Sequence, residues 1–290
     1  MTGIVAAPST TVATVPGGTI QLQELAPAHY GAVVEPLRAL AINNLFARAV
    51  VEQGAPGRVF AYSADRPAVI YVVHAYGMSL LFGETKIPEV DSQLLAGVID
   101  ARRAEDEWLQ ISGEAWMSRL TRRETSATSC SRATVIDQYT RVNFRFCAKE
   151  YAAARRRLSS SCRVERADRA AFAMPGSVVP RAFWRDAERF LDAGAGFAVM
   201  IDDEPAALAF SAFAMDGKLE IGIETVPKFR GRGLATHACA ALIDDCLARG
   251  LEPLWACRLE NTASYRLALR LGFEPVRYLP YFRLSYARAG

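Results

Sequence analysis

Histidine, paired cysteine and long apolar runs are what this chain has little of. Only three histidines are present, His29, His74 and His237. Too few and too scattered for a His-ligated metal, they predict no metal site. Six cysteines show neither a Cys-x-x-Cys pair nor a metal-ligand spacing. Cys239, Cys246 and Cys257 lie in apolar surroundings, where buried free thiols are expected. No apolar run approaches the ~20 residues that cross a bilayer, so no membrane partner is expected. Residues 1–19 have neither the basic start nor the apolar core of a signal peptide. They read as a floppy tail, and cytoplasmic residence is the expectation. The net charge of +3 is too small to predict a nucleic-acid partner. The one basic run, Arg155 to Arg157, precedes Ser159 to Ser161 and reads as a solvated helix end and linker.

The stretch Glu220 to Thr236 says most about function. It reads as a strand, a short loop holding Arg230, Gly231, Arg232 and Gly233, and a helix start. The glycines let backbone approach a ligand, and the helix offers unpaired N–H groups with the positive end of its dipole. That combination binds phosphate. The loop is no Walker sequence, because Gly-Lys-Ser/Thr is missing, and no Gly-x-Gly-x-x-Gly fingerprint is present.

Arg230, Gly233 and Ala235 are spaced as Arg-x-x-Gly-x-Ala. This resembles the acyl-CoA loop of the GCN5-related N-acetyltransferases. Asn261, Ser264, Leu267-Ala268 and Gly272-Phe273 resemble a second block of the same superfamily. The run Pro253 to Ser264 and the Tyr278…Tyr281 ending are similar to one subfamily, which includes zwittermicin-resistance enzymes. The resemblance implies an α/β (α+β) fold with a mixed sheet. It also implies acetyl-CoA, or another phosphopantetheine thioester, as co-substrate.

Three strand-like runs, 196–201, 205–213 and 218–226, precede the loop, with Asp202-Asp203 and Asp216-Gly217 as turns. Helix 234–249 shows a helical period and ends at Gly250. A strand at 252–259 and a helix opening at Asn261 follow. The first half repeats this order: a strand near 20–25, one helix near 28–52, strands near 58–63, 68–74 and 78–82, a helix near 91–104, a strand near 107–111 and a short helix near 113–121. A polar loop is expected over 123–135, then a strand at 141–147. The organisation expected is a tail at 1–19, a degenerate copy of the same fold at 20–150, a linker at 151–163, and the acyltransferase domain at 164–290.

The resemblance assigns Arg230, Gly231, Arg232, Gly233, Leu234 and Ala235 to the cofactor's pyrophosphate. Thr225 and Val226 would present free backbone N–H groups, and Asn261 would lie near the pantetheine arm or cap its helix. Strand parity places Leu219, Ile221, Ile223 and Thr225 on one face, and Glu220, Gly222 and Glu224 on the other. Glu224, nearer the loop, is the first choice and Glu220 the second for binding the ammonium of a small-molecule amine or taking its proton through a water. Ala268 stands where many relatives have a tyrosine, leaving Ser264 as the nearest hydroxyl for the leaving thiolate. Trp255, Tyr278, Tyr281 and Phe282 could wall an acceptor pocket. Two alternatives stay open: an acyl carrier protein as donor, docking at Arg155 to Arg157, and a CoA-binding regulator or immunity protein without chemistry.

Overall fold

The computed structural model describes residues 20–63, 66–101, 103, 105–126, 134–158 and 162–286. The expected tail, most of the 123–135 loop and the linker serines lie outside them.

The first half runs β1 (Gln23–Glu24), α1 (Gly31–Arg38), α2 (Leu45–Gln53), β2 (Gly57–Tyr62), β3 (Val69–His74), β4 (Met78–Gly83), α3 (Pro88–Asp100), β5 (Glu107–Ile111), α4 (Glu114–Ser126) and β6 (Thr134–Phe146). The second runs α5 (Ala148–Arg157), β7 (Val164–Arg166), α6 (Arg169–Phe172), α7 (Ala187–Ala193), β8 (Gly196–Ile201), β9 (Glu204–Met215), β10 (Lys218–Thr225), α8 (Leu234–Ala248), β11 (Glu252–Arg258), α9 (Thr262–Arg270) and β12 (Phe273–Tyr286). The twelve strands of the described residues form one mixed sheet in the order β1-β2-β3-β4-β5-β12-β6-β11-β10-β9-β8-β7. Among the described residues only β4 with β5 and β10 with β11 are parallel.

The sheet weaves the halves together. β6 lies between β12 and β11, and β12 lies between β6 and β5. Each half therefore places its last strand against the other half's parallel pair. The β6–β12 ladder runs from Phe146↔Phe273 to Thr134↔Tyr286, with a shift between Pro275 and Arg277. A cut near 150 would assign β6 to the first half, although its hydrogen-bonded neighbours both belong to the second.

Alternation along the strands sorts two faces. On β9, Leu208, Phe210 and Ala212 pack toward α1, α2, α6 and α7. Ala207 and Ala209 pack toward α5, α8 and α9. In the first half, α3 and α4 cover the face holding Val69, Tyr71, Leu109 and Phe282.

The single helix expected over 28–52 is two helices. Asn44 is buried, and its side-chain amide donates to the Leu37 carbonyl at 2.7 Å. This side-chain bond competes with helical pairing and ends α1. The break carries Asn43 to the sheet, where it meets Glu220.

Candidate active site

β10 and β11 are paired only from Lys218↔Glu252 to Glu220↔Leu254. Beyond Glu220 the strands diverge, and a cavity of about 930 Å³ opens between and beside them. It runs from the 229–236 loop, past the exposed edge of β10, to a chamber walled by Tyr76, Trp108, Arg141, Phe183 and Tyr281. Both halves of the chain contribute to that chamber.

The loop end is built for an anion. Gly231 and Gly233 hold φ values of 78° and 77°, a left-handed geometry that favours glycine. A Cβ at either would meet nothing within 4 Å. These glycines are needed for backbone shape, and the space in front of them stays open. The amides of Gly231, Arg232, Gly233, Leu234 and Ala235 donate to no protein acceptor among the described residues. Five free donors at a helix N-terminus fit a pyrophosphate. Arg232 lies over the Phe229 ring at 5.7 Å. Arg230 is turned back, its Nε donating to the Thr225 carbonyl at 3.0 Å and its Nη2 3.3 Å from Glu224.

The strand edge corrects one expectation. The Val226 amide is not free, because it donates to the Ala206 carbonyl at 3.0 Å. The Thr225 amide donates to the Glu224 carboxylate at 3.2 Å. Donors alternate along an antiparallel ladder, so with Val226 bonded to β9 the Ile223 amide points the other way. It faces the gap where pairing with β11 has ended. Ile223 is the backbone donor that sequence reasoning missed. Only the register reveals it.

The parity of β10 is as expected. Leu219, Ile221 and Ile223 pack with α8, while Glu220, Gly222 and Glu224 face the cavity. At Gly222 an added Cβ would come within 2.5 Å of the Phe210 ring. Glycine there makes room for the outer end of the ring.

Glu220 and Glu224 are equally buried but differently engaged, each 7% exposed. Glu224 accepts from the Ser177 and Val178 amides at 3.1 and 3.0 Å, and from Thr225 and Arg230. Gly176, at φ 154°, is part of this clamp, since its Cβ would lie 2.9 Å from the Glu224 Cγ. Glu220 accepts from the Asn43 side-chain amide at 2.9 Å and has a long 3.3 Å contact with Arg141. Its acceptor capacity is not filled.

On α9, Asn261 caps the helix by accepting from the Ser264 amide at 3.2 Å. Ser264 Oγ accepts from the Trp255 indole N–H at 3.2 Å, and both residues line the cavity. Tyr265 is spent on a 3.3 Å contact with Tyr278, outside it. Ala268 is fully buried. Of the four expected wall aromatics, Trp255 and Tyr281 line the cavity. Tyr278 is exposed, and Phe282 packs on the opposite face.

In the first half a strand-to-helix loop also follows one strand of a parallel pair, between β4 and α3. After β4 the chain reads Gly83 to Pro88 without a glycine pair. Asp91 accepts from the Thr85 amide and hydroxyl, and the Trp116 indole N–H donates to the Gly83 carbonyl.

His74 supports the chamber from below. Its ring lies 5.4 Å from Phe213 and 6.0 Å from Phe183, and its Nδ1 accepts from the Tyr76 amide at 3.0 Å. Burial pushes its pKa down to about 4. A depressed folded-state value means the unfolded chain binds the proton first as pH falls. The stability His74 contributes is full above its ordinary pKa of ~6.5. It is lost as pH falls through about 4. The difference amounts to about 3 kcal/mol. Urea unfolding at pH 7 and 4.5 checks this: His74→Gln shows a smaller loss between the two than the parent.

The family model described as GNAT acetyltransferase matches residues 38–282. The uncharacterized N-acetyltransferase YdfB of Bacillus subtilis (strain 168) is 33% identical over 94 residues, 32% of this chain. That stretch spans only 36% of YdfB's own length. A GCN5-related N-acetyltransferase-like protein from Streptococcus suis superposes with a TM-score of 0.66 at 20% identity, covering 90% of this chain and 100% of that one. A tandem GNAT protein from the clavulanic acid biosynthesis pathway gives 0.58 at 10% identity, covering 90% and 97%.

Proposed function

This chain belongs to the GNAT acetyltransferase family, and from that premise we propose that it is an N-acyltransferase. It moves an acetyl group from acetyl-CoA to a primary amine of a small metabolite or antibiotic, in the cytoplasm. The observation behind this reading is one continuous cavity. It joins five free loop amides to a buried carboxylate through the gap between β10 and β11. The partial likeness of 253–281 to the zwittermicin-resistance subfamily favours an aminated natural product as acceptor.

The thioester supplies an activated acyl carbon. The chain's residues supply position, charge and proton traffic. The loop amides and Arg232 hold the pyrophosphate. The Ile223 amide, aimed into the gap, donates to the acyl oxygen as negative charge develops there. Glu220 receives the ammonium and takes its proton, so the free amine attacks. Glu224 is a positioning residue that ties Arg230 and the 176–178 segment to the strand end. Ser264 is the hydroxyl beside the cleft for the leaving thiolate. The first half contributes Asn43, Tyr76 and Trp108 to the acceptor chamber.

Calorimetric titration with acetyl-CoA, followed by thiol release over an amine panel, tests this. The reading expects micromolar binding and turnover. Tight CoA binding without turnover on any amine would favour a non-catalytic CoA-binding protein, consistent with Ala268. Turnover only from a carrier-bound thioester would favour the carrier-protein donor, with Arg155, paired to Asp244 at 2.8 Å, at the edge of its dock.

A further inference from the structure

We propose that the acceptor is amphoteric: its ammonium is received by Glu220, and an oxyanion on the same molecule is held by Arg258 and Arg141. This deepens the acyltransferase reading and rests on it.

Both arginines lie on an aromatic platform shared by the two halves. The Arg258 guanidinium is 4.2 Å from the Trp108 ring centre and 5.3 Å from Tyr139. Arg141 is 5.5 Å from Tyr281. Trp108 and Tyr281 stack at 5.3 Å with their planes 29° apart. Stacking uses the faces of a guanidinium and leaves its N–H edges for an acceptor.

No carboxylate claims those edges fully. Arg258 forms no ion pair among the described residues, although it lines the cavity. Arg141 is 6% exposed, and its Nε is buried without a partner. Its Nη2 contact with Glu220 is long, at 3.3 Å. Glu224 is occupied by Arg230 and three backbone amides. The chamber thus holds two guanidinium groups against the single carboxylate of Glu220. On the same sheet face, Asn143 Nδ2 is also buried and unpaired. This excess of positive charge and unused donors matches a carboxylate or phosphonate, which guanidinium edges bind in a planar, two-pronged fashion. An amine with an apolar or cationic tail would leave Arg258 and the Arg141 Nε unmatched.

The test uses the full chain and pairs of amines that differ only in the oxyanion: amino acids, the corresponding aminoalkylphosphonates, and the decarboxylated amines. With saturating acetyl-CoA, kcat/KM for the anionic members should exceed that for the decarboxylated amines by about 10- to 100-fold. Arg258→Gln should collapse that ratio, and Arg258→Lys should restore part of it. Preference between carboxylate and phosphonate identifies the oxyanion, and either supports the inference. Equal or better turnover of decarboxylated amines overturns it, as does an unchanged ratio in Arg258→Gln. Thermal shift of the same compounds without any donor reads the chamber independently of transfer. A shift by anionic amines that Arg258→Gln abolishes upholds the inference even if thiol release fails, which would count against the acyltransferase reading alone. No shift and no preference overturns the inference.

Discussion

Glu220→Gln lowers kcat/KM for the amine by about 10²- to 10⁴-fold, the range associated with loss of a positioned proton acceptor. The substitution keeps side-chain volume, and its amide oxygen can still accept from Asn43 (2.9 Å in the parent). What it removes is the negative charge that receives the ammonium and the basicity that takes its proton. The loss therefore falls on both kcat and KM for the amine, and acetyl-CoA affinity stays near that of the parent because the loop lies elsewhere in the cavity. Glu224→Gln gives the opposite pattern. Its side chain anchors Ser177, Val178 and Arg230, so its replacement loosens the 176–178 segment and lowers the unfolding midpoint. Steady-state kinetics and calorimetry on both variants decide between the two carboxylates. A severe kcat defect in Glu224→Gln with near-parental Glu220→Gln would reverse the roles.

That the two carboxylates differ is not legible in the sequence. Strand parity puts Glu220, Gly222 and Glu224 on one face, and the structure agrees. Thr225 and Arg230 are near Glu224 in sequence, but the other partners come from residues 43, 141 and 176–178, far away in sequence and brought near only by the fold. The same holds for the free strand amide. Choosing Ile223 over Thr225 or Val226 requires the register against β9, which residue pattern leaves open. Local features were legible because their causes are local. Asp202-Asp203 and Asp216-Gly217 read as turns, and all four residues have positive φ. The helical period from Leu234 and the stop at Gly250 bracket α8 closely. Asn261 caps α9 as its position suggested. Two non-local features escaped: the break between α1 and α2, where one asparagine side chain overrides a helical period, and the exchange of β6 and β12. Either strand reads locally as an ordinary sheet segment. Nothing in its own pattern names the partner across the boundary.

Gly233→Asp raises the Kd for acetyl-CoA by about two orders of magnitude or more while leaving the fold assembled. Three consequences act together at that residue. The φ of 77° is one that a side chain adopts at a cost of about 1–2 kcal/mol, so the loop relaxes and its amides lose their common direction. The new carboxylate stands at the N-terminus of α8 and repels the phosphate charge the helix end would otherwise attract. It also competes for the Ala235 amide, acting as an internal cap. Hydrogen bonds to charged groups contribute about 1.5–3 kcal/mol each, so losing one to two of them corresponds to the stated change in Kd. The fold tolerates the residue because nothing lies within 4 Å of the new Cβ. The cap should even support α8. Gly233→Ala separates the contributions, since it brings the backbone strain without the charge and should cost less affinity. Calorimetry on both variants, with thermal unfolding alongside, reads affinity and stability independently. Weakened binding with a melting temperature near the parent's is the expected pair of results, since the cap offsets the strain. Parental affinity in Gly233→Asp would remove the loop from the cofactor site.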